Sequence, residues 1–308
     1  MRGEIRVGTS SWTDPTLIES GWYPPEAAKN AEARLRFYAA RFNLVEVDST
    51  YYGLPSEDNA RRWAERTPDG FVFNVKAYAL MTQHPAEVRA LPPEIRHGFS
   101  GKRVYAKDVP EKVIDLIFER FASALEPLRA AGKLGALLFQ FPQWFTPSRD
   151  ARAYVEHCRD LLPGFLIAVE FRNRTWLEEP ERTLSWLEDA GLAFVCVDAP
   201  PGFASSMPPV AAATHPELAF VRFHGRNTTT WEKKGLTAAE RFDYRYSEDE
   251  LREWVPTVES LAEQARTTHV LFNNCFRDHG VVNARQMAGL LNAAVEATDE
   301  PQAPLFDG

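Results

Sequence analysis

Four stretches place ionisable side chains at alternate positions between apolar ones: LVEVD (44–48), FVFNVKA (71–77), LIAVEFR (166–172) and VRFHGRN (221–227). Period-2 alternation puts Glu46 with Asp48, Asn74 with Lys76, Glu170 with Arg172, and Arg222 with His224 on one face of a strand. The same rule sets Cys196 and Asp198 opposite Val195 and Val197 in AFVCVD, and gives LLFQF a polar Gln140. Asn273 and Asn274 close a further apolar run, and alternation alone does not say which of them faces in. Guanidinium groups bind phosphate or carboxylate with two parallel hydrogen bonds, so Arg172, Arg222 and Arg226 suit an anion. Glu170, Asp198 and His224 are the candidate acid/base groups or metal ligands, and Lys76 would stabilise developing negative charge.

A single buried arginine or glutamate is more often one half of a structural ion pair than a catalyst. Polar residues on the inner face of six or more strands are harder to explain that way. Glu46, Asp48, Gln140, Asn273 and Asn274 complete the expected lining of the site. Trp12 and Tyr51, with Tyr52, Trp144, Phe145, Trp176, Phe203 and Trp231, fall in loops just after strands. They either roof those loops or offer a stacking surface for a sugar ring or an unpaired base. Carboxylates with His224 could hold a divalent metal, but with one histidine convincingly inside, a histidine-rich zinc cluster is not expected. The residues single out no cofactor. Cys275 and His279 lack an orienting partner for nucleophilic catalysis.

These residues must be carried by regular elements. Eight short apolar runs (5–9, 44–48, 71–77, 134–141, 166–172, 193–198, 219–224 and 269–274) alternate with helical patterns such as AEARLRFYAARF and EKVIDLIFERFASALEPLRAAG. That alternation predicts an α/β fold, a single (β/α)8 TIM barrel over residues 1–297, with long loops after strands 3 and 6 (78–110 and 199–217). Polar residues gather at the C-terminal ends of the strands, where this architecture places its active sites. No glycine-rich dinucleotide loop and no phosphate-loop lysine motif is present.

The 308 residues carry a net charge of −8, which argues against a broad footprint on duplex nucleic acid and against attraction to a membrane surface. Three scattered cysteines and the lack of a signal-like N-terminus point to the cytoplasm.

Together VGTSSW, FNLVEVDSTYYGLP, GFVFNVKA with TQHP, LLFQFP, VEFRNRTW, VRFHGRN, FDYRYSEDEL and FNNC…NARQM resemble the YecE-like family, domain of unknown function 72, over nearly the whole chain. The resemblance implies a TIM barrel without a settled activity. It also brings two analogies of fold, to sugar isomerases and to DNA-binding barrels like endonuclease IV. The histidine set of endonuclease IV has no counterpart in this sequence.

The last residues, 298–308, read as a flexible tail. Within QAPLF, Gln302, Leu305 and Phe306 resemble the peptide by which bacterial replication and repair proteins dock on the sliding clamp. The expectation is therefore an enzyme for an anionic, phosphate-bearing substrate, with nucleic acid preferred. The alternatives are a sugar or sugar-phosphate isomerase or epimerase, and a non-catalytic nucleic-acid-associated module docking on the clamp.

Overall fold

The computed structural model describes residues 2–294; Gln302, Leu305 and Phe306 lie outside the described residues. Eight parallel strands close into a barrel: β1 (Glu4–Thr9), β2 (Leu44–Val47), β3 (Val72–Lys76), β4 (Leu134–Gln140), β5 (Leu166–Glu170), β6 (Ala193–Asp198), β7 (Leu218–Phe223) and β8 (Thr267–Phe272). Each falls on one of the eight apolar runs. β1 pairs with both β8 and β2, which closes the ring and leaves no free edge.

Among the described residues seven longer helices cover the outside: α1 (Ala31–Ala39), α2 (Glu57–Glu65), α3 (Glu111–Ala130), α4 (Arg149–Asp160), α5 (Pro180–Asp189), α6 (Glu248–Gln264) and α7 (His279–Leu290). Their starts are written in the sequence. Ser148 accepts from the Ala151 amide, and Ser247 with Glu250 forms a capping box that satisfies otherwise orphaned amides. On α3, Ile114, Ile117, Phe118, Phe121, Leu125 and Leu128 recur every three or four residues and are buried.

Among the described residues the β6–β7 connection has no helix, so the barrel departs from eight uniform strand–helix units. Residues 199–217 carry five prolines, each of which removes an amide donor and resists the helix interior. They are tied to β6 and the residue before it by Thr214, whose hydroxyl accepts from Phe194 N and donates to Leu192 O, and by Ala212, whose carbonyl accepts from Cys196 Sγ. The long segment after β3 folds locally, with Ala86–Glu87 pairing antiparallel to Arg103–Val104. No helix among the described residues is long and apolar enough to cross a membrane.

Parallel neighbours in register point to the same side of the sheet. Glu46 pairs with Asn74, Gln140 with Glu170, and Leu271 with Arg222, so these residues share the inner face. Below the charged layer, Asn74 accepts from the Ala136 amide at 2.9 Å and bonds His269 Nδ1 at 3.1 Å across the barrel. Gly135 makes this possible, since a Cβ there would sit 2.4 Å from Asn74 Oδ1.

β6 overturns one sequence expectation. Val197 pairs with Arg222, so Val195 and Val197 face inward while Cys196 and Asp198 face outward. Alternation identified the two faces correctly, but the polar face was assigned to the wrong side.

Candidate active site

Arg222 stands at the centre. Its NH1 donates to Glu170 Oε2 at 2.5 Å and its NH2 to Glu46 Oε1 at 2.6 Å, joining β5, β7 and β2 through the barrel interior. Neither carboxylate is exposed, and Arg222 is 1% exposed. Burial alone would raise Glu170, but Arg172, Arg222 and His224 together hold it well below the usual carboxylate range. Glu170 is therefore an ionised acceptor, paired with Arg172 at one oxygen and with Arg222 at the other.

His224 continues the inner face of β7 beyond its end. Its Nε2 lies 3.1 Å from Glu170 Oε1, while Nδ1 lies 2.9 Å from Asn273 Nδ2. Burial, then the Arg172 charge, pushes it down to about 3, so the imidazole is neutral at physiological pH. With Nε2–H donating to Glu170 and Nδ1 accepting from Asn273, both ring nitrogens are engaged. Arg172 Nε makes an ion pair with Glu170 Oε1 at 2.6 Å, and its guanidinium carbon lies 5.3 Å from the Trp231 ring centroid. Gln140 donates to the same Glu170 oxygen at 2.6 Å.

Lys76 differs from these arginines. No carboxylate oxygen among the described residues lies within 4.0 Å of its ammonium. It sits 4.8 Å from the Tyr51 ring centroid and is partly exposed at the end of β3. Burial and the Arg222 charge push it down to about 8, against the opposing pull of Glu46 and Glu170. Burial also pushes Glu46 and Asp48 up, against the pull of Arg222 and Lys76. Glu46 Oε2 is buried and has no hydrogen-bond partner among the described residues. An amine with a lowered pKa, two acids with raised pKa values and a carboxylate oxygen without a hydrogen-bond partner among the described residues thus lie on neighbouring strands.

Beside this set a cleft of about 700 Å³ opens at the C-terminal face, lined by Tyr51, Trp144, Gln140, Arg172, Trp231 and Arg241 among others. Tyr52 and Trp144 at its edge are 66% and 57% exposed. Arg241 donates to the carbonyls of Trp231 and Lys233. It has no carboxylate partner among the described residues. Ser10, from the first strand's end, also receives a bond from Arg222 NH2 at 3.3 Å.

Several expected site residues lie elsewhere. Asp198, on the outer face of β6, accepts from Tyr246 Oη at 2.6 Å, Trp254 Nε1 at 2.9 Å and Arg226 NH2 at 2.8 Å. It pins the loop after β7 and helix α6 to the barrel and cannot serve the inner ring. Arg226 is spent on Asp198, Glu250 and Glu253 rather than held for a phosphate. A second cleft, of about 640 Å³, opens there, between residues 199–209 and α6. Asn274 points outward and donates to Tyr244 O and Asn283 Oδ1, leaving Asn273 as the inner asparagine. Trp12 packs edge-on against Trp63 and Phe73, and Phe73 belongs to the outer face of β3, so Trp12 is core. Phe145 and Trp176 stack with Phe141 and Phe171 in a buried cluster. Burial raises the Cys275 thiol and lowers His279, whose Nδ1 lies 3.5 Å from Asp243 Oδ1.

Sequence reasoning missed Arg241 and Phe242 in the cleft and His269 beneath the ring. Arg241 precedes FDYRY and Phe242 opens it, where no periodicity marks them; His269 begins an apolar run whose inward face alternation leaves open. The proposed carboxylate–histidine metal set does not fit: Asp198 is on the opposite face and both His224 nitrogens are engaged. Among the described residues no three His, Cys, Asp or Glu side chains are grouped to hold a metal ion.

The family model described as "Protein of unknown function DUF72" matches residues 6–305. The UPF0759 protein YunF of Bacillus subtilis is 33% identical over 307 residues, covering 98% of this chain and all of that one. The UPF0759 protein YecE of Escherichia coli K12 is 31% identical over 205 residues, covering 65% of this chain and 61% of its own. A DUF72 family protein of known structure from Thermotoga maritima superposes with a TM-score of 0.73 at 30% identity, covering 94% and 99% of the two chains. One from Enterococcus faecalis gives 0.73 at 26% identity, covering 95% and 99%.

Proposed function

Because the chain belongs to the DUF72 family, whose description states no function, its activity has to be read from its own site; we propose that it is an enzyme acting on a small anionic, phosphate-bearing substrate at the C-terminal mouth of the barrel. The observation that carries this reading is the cleft that joins cations to aromatic walls beside Lys76. Arg241, without a carboxylate partner among the described residues, and Arg172 would hold the anion. Tyr51, Trp144 and Trp231 would cover the attached ring. The inner ion pairs of Arg222 with Glu46 and Glu170 would act as scaffold, since they are buried at the centre of the barrel.

The volume suits one nucleotide or sugar phosphate better than a duplex, as does the net charge of −8. A nucleotide unit of a single strand keeps nucleic acid within this class, its base stacked on the exposed Tyr52 and Trp144. The raised acids Glu46 and Asp48 beside Lys76 favour a second reading, proton transfer on a sugar phosphate as in an isomerase.

Calorimetric titration with a nucleoside monophosphate, a sugar phosphate and a short single-stranded oligonucleotide tests the proposal. Binding of at least one, weakened roughly tenfold by Arg241→Ala (about 1.4 kcal/mol), is expected. Tight binding of the oligonucleotide with a steep salt dependence would select the nucleic-acid form. No heat with any of the three, or unchanged affinity in both Arg241→Ala and Trp144→Ala, would overturn it.

A further inference from the structure

We propose that Lys76 acts as an amine nucleophile that forms an imine with a carbonyl carbon of the substrate, which makes that substrate an aldehyde or ketone bearing a phosphate, such as an open-chain sugar phosphate. The inference rests on the cleft being the substrate site. The chain has eight lysines, and the contrast with Lys133 is informative. Lys133, at the opposite end of the barrel, is 6% exposed and donates to the carbonyls of Ala64 and Thr67, both at 2.7 Å. Two of its three donors are taken by backbone carbonyls, which marks it as a structural cation. Lys76 lies at the mouth with no ion pair among the described residues, next to Tyr51, which is a wall of the cleft.

An amine attacks a carbonyl only when it is unprotonated and free of a carboxylate partner. Arg222 and Arg172 favour that state by adding positive charge around Lys76, and they take the Glu170 carboxylate that would otherwise pair with it. The buried Glu46 Oε2 has no hydrogen-bond partner among the described residues, and Asp48 follows Glu46 on the same face of its strand. These two carboxyl groups supply the acid/base partner that the step requires.

The Lys76 nitrogen lone pair forms a C–N bond to the carbonyl carbon as the C=O π bond breaks; the nitrogen gives up one proton and the oxygen takes one, which leaves a carbinolamine, and the second amine proton leaves nitrogen as the C=N bond forms. Loss of that hydroxyl as water, protonated by Glu46 or Asp48, leaves a C=N bond to Lys76. The net change is amine plus carbonyl to imine plus water, with no oxidant or reductant. The phosphate of the substrate would lie toward Arg172 and Arg241, and the reacting carbon toward the end of β3.

Pyridoxal 5′-phosphate, which combines an aldehyde, a ring and a phosphate, and ribose 5-phosphate serve as probes. The full chain is incubated near pH 8 with each probe and cyanoborohydride, then analysed by intact mass and peptide mapping. The expected result is a single reduced adduct on Lys76, formed at least tenfold faster than on any other lysine and absent in Lys76→Met. Mapping of the wild-type chain keeps the test valid should that variant fold poorly. Binding of pyridoxine 5′-phosphate, which lacks the carbonyl, is measured in parallel. If it binds while Lys76 stays unlabelled, or if label spreads evenly over the lysines, the imine is overturned and the anion site stands. If neither compound binds, the reading of the cleft falls as well.

Discussion

Arg222 on β7 and Glu170 on β5 meet inside the barrel at 2.5 Å, both essentially inaccessible to solvent. The same guanidinium reaches Glu46 on β2, so one side chain ties three strands that are far apart in sequence. Removing the cation would leave buried Glu46 without its ion-pair partner and buried Glu170 with Arg172 as its remaining arginine. Arg222→Met is therefore expected to destabilise the fold by about 3–5 kcal/mol, as broken buried pairs do. Arg222→Met combined with Glu170→Gln should cost less than the sum of the two single changes. Urea unfolding of the four proteins measures both quantities, and strict additivity would contradict the coupling.

Acid should weaken the protein before its carboxylates titrate. Burial pushes His84, His224 and His269 down to about 3 from an ordinary 6.5. Between those values the unfolded chain binds protons that the folded chain refuses, so stability is fully present above pH 6.5 and falls as pH drops. Each histidine contributes at most about 2 kcal/mol between pH 6.5 and 5. Glu170, held low by its arginines, adds a loss of the same sign below 4.5. Glu46 and Asp48, raised by burial, act in the opposite direction and favour the fold at low pH. Unfolding free energies at pH 7 and pH 5 should show the net fall, and His84→Gln should reduce it.

Asp198 anchors the β7 loop and α6 from outside the barrel, so its effect should be on stability rather than on ligand affinity. Asp198→Asn retains the shape but cannot accept from Tyr246, Trp254 and Arg226 as a charge. A loss of about 2–4 kcal/mol is expected. Affinity for a phosphate ligand at the mouth should change less than twofold in calorimetry under folding conditions. A large affinity loss without a stability loss would place Asp198 back in the chemistry.

Docking on a sliding clamp through Gln302, Leu305 and Phe306 is a separate proposal, carried by the QAPLF sequence alone. Purified clamp should retain the full chain in a pull-down, and deletion of residues 301–308 should abolish that retention. Equal retention of both proteins would exclude this segment as the docking peptide.

Most of the barrel was legible in the chain because its two signals are local. A strand buried on both sides must be an apolar run, and a crossover helix must repeat its apolar residues every three or four positions. The eight runs therefore located the strands, and the polar residues at their C-terminal ends located the mouth. In the pairs Glu46 and Asp48, Asn74 and Lys76, Glu170 and Arg172, Arg222 and His224, alternation correctly grouped the inner side chains. It could not tell inside from outside, because a period of two defines two faces and labels neither. On β6 the register with Arg222 decided the matter, turning Val197 inward and Asp198 outward toward Tyr246 and Trp254. The same register placed Asn273, and not Asn274, beside His224. Nor does sequence reveal which charges neutralise one another. That Arg222 is spent on Glu46 and Glu170 while Lys76 has no carboxylate within 4.0 Å among the described residues depends on distances across a closed barrel, which only the tertiary structure sets.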